Sequence, residues 1–180
     1  DNPIKYSLSG AQDPDKGSAS CASTVGWAYR KAFGLSGMSA SSTEQSKNDN
    51  FETIWTNDGS GLDTSILKPG DVLYMNWGQT KNTGAMKHTE MYAGNNKDLS
   101  HGGPGAGPVY KDLNDYRRKH TMMVRRYKPL ISGDDVRVLN SRGGGFGALA
   151  GGAAGASFGS FGPSITRDAN GNAKFALDAS

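Results

Sequence analysis

From Ala22 to Phe33 the apolar residues Ala22, Val25, Ala28, Tyr29, Ala32 and Phe33 recur at steps of three and four. That spacing places them on one stripe of a helix. Ser20 precedes the stripe as an N-cap and Gly34 follows it as a C-cap glycine. Downstream the period shortens. Val72-Leu73-Tyr74-Met75 reads as a buried strand, reached through the turn Leu67-Lys68-Pro69-Gly70-Asp71. His88 to Ala93 reads as a second strand closed by Gly94-Asn95-Asn96, Asp98 to His101 as a third, and Thr121 to Tyr127 as the last. Weaker signals predict a helix over Ser42 to Asn50, a short apolar segment over Phe51 to Trp55 and a helical turn over Leu113 to Arg118. One firm helix followed by neighbouring strands is an α+β pattern with an antiparallel sheet, not the βαβ alternation of a nucleotide-binding fold.

The two ends differ from this middle. Residues 1–20 are broken by Asn2-Pro3, Ser9-Gly10, Asp13-Pro14 and Lys16-Gly17. Past Pro129 the chain turns into low-complexity Gly/Ala sequence, with Gly143-Gly144-Gly145, Gly151-Gly152 and Ala153-Ala154. We therefore expect a folded domain over residues 1–128 and a Gly/Ala-rich extension or linker over 129–180. Glycine carries the largest ordering cost, so the extension should not fold alone. A linker, or packing on a partner subunit, is favoured over membrane insertion, because Gly and Ala give little apolar drive.

Composition narrows the chemistry only slightly. With 180 residues, 35% of them hydrophobic, the chain fits one domain and an appendage. The formal net charge of +3 suits an anionic partner such as cell-wall polymer, nucleic acid or a membrane surface without choosing among them. Arg117, Arg118, Lys119, Arg125, Arg126 and Lys128 lack a recognisable reading helix and read as a solvated face, so no sequence-specific nucleic-acid partner is expected. The start at Asp1, with no secretion signal, is expected to mark a piece of a longer polypeptide. A single cysteine rules out an intrachain disulfide and a four-cysteine zinc site, and no cofactor is implied.

That cysteine, Cys21, falls where the helix begins. The unpaired N–H groups of a helix start carry partial positive charge, which favours a thiolate. A base is also needed. His88 opens one strand and His101 ends the next, so both could lie at one end of the sheet, although strand period alone does not put them on one face. His120, beside Arg117, Arg118 and Lys119, reads as a surface residue.

Four segments carry a resemblance. Ser20-Cys21-Ala22-Ser23-Thr24-Val25-Gly26-Trp27-Ala28-Tyr29 resembles the nucleophile helix of the NlpC/P60 family of cell-wall peptidases. Leu67 to Tyr74 resembles the turn and strand that follow it, His88 to Asn95 the histidine strand, and Leu99-Ser100-His101-Gly102 the third catalytic position. All four stand in family order. The resemblance implies a papain-like α+β fold and a Cys-His-His triad: Cys21 attacks the carbonyl, His88 is the general base and acid, and His101 orients it. It also implies that Tyr6 helps hold the oxyanion, with the Cys21 N–H as a second donor. Ser20 stands where the family usually has Asp, and Ala22-Ser23 stand where it has Ser-Gly. Thr89-Glu90 stand where small or apolar residues are common; Glu90 reads as a surface residue, with a contact to a substrate amine as the alternative.

The expected activity is a peptidoglycan hydrolase that cleaves stem or cross-link peptides. The missing start and the Gly/Ala-rich tail suggest the lytic domain of a phage tail or tape-measure protein in the virion, with other tail subunits as partners. The alternatives are a secreted bacterial wall amidase or endopeptidase, and a catalytically inactive structural module.

Overall fold

Ser20 fixes the start of α1 (Cys21–Phe33). Its hydroxyl accepts from the Ser23 N–H at 3.2 Å, and the Ser23 hydroxyl accepts from the Ser20 N–H at 2.8 Å. This reciprocal capping box holds the first turn, a device worth about 1 kcal/mol. It also accounts for Ser23, one of the residues that departs from the NlpC/P60 pattern. Gly34 ends the helix in the left-handed conformation at φ 67°, with its N–H on the Arg30 carbonyl. The computed structural model describes residues 4–9, 12–102 and 107–132, together with the backbone of 163–167 and 173–177.

The remaining elements are β1 (Lys5–Tyr6), β2 (Ser18–Ala19), α2 (Ser42–Gln45), β3 (Phe51–Thr56), β4 (Val72–Met75), β5 (His88–Gly94), β6 (Lys97–Ser100), β7 (Val109–Asp112), α3 (Asp115–His120), β8 (Thr121–Tyr127) and α4 (Lys128–Ser132). Strands β9 (Pro163–Arg167) and β10 (Ala173–Leu177) form an antiparallel hairpin within the expected extension. Most of the Gly/Ala-rich stretch expected to be a linker lies outside the described residues.

Six strands form one antiparallel sheet in the order β3-β8-β4-β5-β6-β7. The expected strands are all in it. The second helix is shorter than its polar sequence suggested, stopping at Gln45 rather than Asn50. The apolar stripe of α1 packs on one face of the sheet, where Val25, Ala28, Tyr29, Ala32 and Phe33 join Met91, Leu99 and Met122. Tyr29 stands edge-on to Phe51 and Tyr127, at ring separations of 5.0 and 5.5 Å, and donates its hydroxyl proton to the Gly70 carbonyl. That bond ties the helix to the turn before β4.

Two sets of contacts fix the positions of the sheet and the N-terminal segment. Arg126 on β8 grips buried Asp71 with two bonds of 2.7 Å, and Asp71 also accepts the Lys68 N–H at 2.8 Å. Trp27 donates its indole N–H to Asp15 at 2.9 Å, while Arg30 and Lys31 pair with Asp15. These bonds hold the loop between β1 and β2 against α1, and with it Tyr6.

The basic cluster divides: Lys119 and Lys128 are exposed, as expected of a solvated face, but three of the arginines turn inward. Arg117 reaches Glu90, Arg126 reaches Asp71, and Arg125 donates to the carbonyls of Ser46, Asn48 and Phe51. His120 is likewise buried rather than exposed. Its Nδ1 donates to the Gln79 carbonyl at 2.6 Å and its ring lies 4.5 Å from that of Tyr116.

Candidate active site

Cys21 is the first residue of α1, and only 5% of it is exposed. Its sulfur sits among donors. Ser42 Oγ is 3.6 Å away, and Ser42 in turn accepts from Thr89 Oγ1 at 2.8 Å, which frees the Ser42 proton to face the sulfur. The Thr89 backbone N–H and the His88 imidazole lie near enough to act on the thiol electrostatically. No acidic residue occupies the first turn of α1 to offset its positive end. Burial pushes the thiol pKa up, but His88, Ser42 and the Thr89 N–H outweigh it, and the thiol is held below its ordinary range.

His88 opens β5. Its Nε2 lies 2.8 Å from Glu90 Oε1 and 3.3 Å from Ser100 Oγ, which leaves Nδ1 for the sulfur. Burial alone would lower the imidazole pKa. Cys21 and Glu90 override it and raise the pKa to about 9. Cys21 and His88 therefore shift each other toward the charged forms, thiolate and imidazolium. Trp77 covers the imidazole at a ring separation of 5.4 Å.

Glu90 is fully buried, not on the surface as its type suggested. Along β5 alternate residues share a face, so Glu90 lies on the same face as His88. Arg117 of α3 reaches over that face and pairs with Glu90 Oε1 at 3.0 Å. A carboxylate buried this deeply needs such partners.

His101 does not make the expected bond to His88. Its Nε2 donates to the Ile4 carbonyl at 3.0 Å, and its ring stands edge-on to Tyr6 at 5.3 Å. The register explains why. Met91 pairs with Leu99 and Tyr92 with Asp98, so Ser100, not His101, comes opposite Glu90 on the His88 face. Burial lowers the pKa of His101 and keeps it neutral. Its place is to brace the N-terminal segment. Burial raises the pKa of Tyr6, and the charge of Cys21 raises it further, so Tyr6 lies within electrostatic reach of the sulfur.

The site thus joins Cys21, His88 and Glu90, with Ser42, Ser100 and Arg117 around them. Glu90 had a sequence signal in its two-residue spacing from His88. Ser42 and Arg117 arrive from distant elements and had none. Among the described residues no group of three or more His, Cys, Asp or Glu is placed to hold a metal ion.

Solved structures share this architecture. An NlpC/P60 family protein from Bacillus cereus aligns with a TM-score of 0.51 at 21% identity, over 71% of this chain and 36% of that one. NlpC2 from Trichomonas vaginalis aligns with a TM-score of 0.50 at 23% identity, over 69% of this chain and 42% of that one. The chain spans less than half the length of either. No family model matches the chain, and no curated protein does. What the likeness shows is the fold: this chain has the NlpC/P60 α+β architecture, with Cys21 on its helix and His88 on its sheet.

Proposed function

We propose that the domain is a cysteine peptidase that cleaves stem or cross-link peptides of peptidoglycan. One observation carries the reading: Cys21, at a helix start, faces a histidine whose far nitrogen is held by a buried carboxylate. That is the arrangement of an activated nucleophile, an acid–base group and an orienting group. The fold and the chain's basic balance support a polyanionic wall polymer as substrate.

In this mechanism the Cys21 thiolate attacks the scissile carbonyl carbon. The Cys21 N–H and the Tyr6 hydroxyl face the developing oxyanion. The His88 imidazolium gives its proton to the leaving amine as the C–N bond breaks, leaving a thioester on Cys21. Neutral His88 then takes a proton from water as the oxygen attacks the thioester. The thiolate leaves, and the ion pair is restored. Glu90, rather than His101, steadies the imidazolium through both steps.

The proposed setting is a phage tail, where the domain opens the wall during DNA entry and residues 129–180 pack on neighbouring subunits. A secreted bacterial wall hydrolase is the alternative, and finding or missing the chain in purified virions decides between them. The activity is tested by incubating purified peptidoglycan with wild type and with Cys21→Ala, and identifying the released fragments by mass spectrometry. Peptide-bond fragments from wild type alone support the reading. Identical digests overturn it.

A further inference from the structure

Behind Glu90 lies a second buried carboxyl group that the mechanism does not use. Asp98 of β6 is fully buried, and neither of its oxygens accepts a hydrogen bond from a donor among the described residues. The same is true of Glu90 Oε2, although Glu90 Oε1 is shared by His88 and Arg117. Three carboxyl oxygens therefore lie out of water without a donor, whereas the buried carboxylate of Asp71 is fully paired. Two ionised carboxylates left in that state would pay the desolvation of both charges with too few donors to offset it.

The strand register brings the two groups together. Asp98 pairs with Tyr92, so it sits diagonally across from Glu90 on the face that carries His88 and Ser100. One proton answers this shortage: a protonated Asp98 donates to Glu90 Oε2, and two buried negative charges become one.

We propose that Asp98 is a positioning residue, held neutral so that it completes the hydrogen bonding of the Glu90 carboxylate behind His88. The groups facing Asp98 agree with this. Glu90 and His88 come from β5 and Arg117 from α3. Lys111, its cross-strand partner on β7, is exposed and makes no ion pair with it. Burial, and then the neighbouring Glu90 charge, raise the Asp98 pKa to about 8, against the weaker pull of Arg117 and His88. With the proton on Asp98, Glu90 keeps its charge for the imidazolium. Without that donor, Glu90 Oε2 stays buried and unsatisfied, which weakens the carboxylate as counter-charge for His88.

The inference rests on the Cys21–His88–Glu90 reading of the site, and its test does not need a substrate. Carboxyl carbons of Asp are followed by 13C NMR in the whole chain as pH is raised. One Asp carbon should stay in the protonated form through pH 7 and vanish from the spectrum in Asp98→Asn. In parallel, the pH dependence of Cys21 alkylation by iodoacetamide is compared among wild type, Asp98→Asn and Asp98→Leu. Asn offers a neutral donor of the same shape and should leave the half-point unchanged. Leu offers none, and should raise the half-point by about one pH unit. An Asp98 carbon that titrates in the ordinary carboxylate range overturns the proposal, as do Asn and Leu variants with the same alkylation profile. Should the Asp98→Leu variant fail to fold, the wild-type NMR titration still decides. A protonated Asp98 in a domain that releases nothing from peptidoglycan would keep this inference and remove the proposed activity.

Discussion

His88 Nε2 and Glu90 Oε1 lie 2.8 Å apart on one face of β5, both shut away from solvent. The bond fixes which nitrogen of the imidazole is left for Cys21, and it supplies the charge that favours the imidazolium. Replacing Glu90 with Ala should lower the turnover of a cleavable substrate by about 10²–10⁴-fold, as loss of an orienting carboxylate does in other triads. The check is kcat against KM. The loss should fall on kcat, because Glu90 is too buried to bind substrate directly.

His101→Ala should cost far less than Glu90→Ala. Its ring touches Ile4 and Tyr6, not His88. The expected defect is a looser N-terminal segment and a modest loss through Tyr6. Side-by-side rates of the two variants check this, and a larger loss in His101→Ala would restore the Cys-His-His arrangement that the sequence motif implied.

Gly102 is a steric test of the His88 ring. A Cβ built there would stand 2.8 Å from His88 Cε1, closer than such contacts occur. Gly102→Ala should therefore displace the imidazole. Activity should fall while the melting temperature changes little, because the clash is confined to one side chain near the end of β6.

The Asp71–Arg126 pair should carry stability rather than catalysis. Asp71→Ala leaves a half-buried guanidinium with only the Ile66 carbonyl as partner and should lower unfolding free energy by about 1–3 kcal/mol, read from denaturant titration. The double replacement Asp71→Leu with Arg126→Met removes both charges and should cost less than the single one.

How much of this was legible beforehand follows the range of the interactions. The α1 stripe, Ser20, Gly34 and the β4, β5 and β8 strands depend on neighbours in the chain, so periodicity and capping residues reveal them. The His88–Glu90 relation was also local, a spacing of two on a strand, but Glu90 is a residue type usually found in water. Arg117, brought over the sheet by α3, joins His88 in making its burial tolerable, and nothing near Glu90 in the chain announces Arg117. His101 was misplaced for a related reason. A one-residue difference in strand register moves a side chain to the opposite face, and the register past Asn95-Asn96 is set by pairing, not by composition.

The central claim is that Cys21 is held as a thiolate by His88, and the chain makes it directly measurable because Cys21 is its only cysteine. The rate of iodoacetamide alkylation is recorded against pH for wild type and His88→Ala. Wild type should react with a half-point below the ordinary thiol value of 9.0, because His88 stays protonated until pH rises through about 9. In His88→Ala the half-point should climb to that value or above, as burial then acts on the thiol without its cationic partner. A wild-type half-point at or above 9.0, unchanged by His88→Ala, would contradict the account.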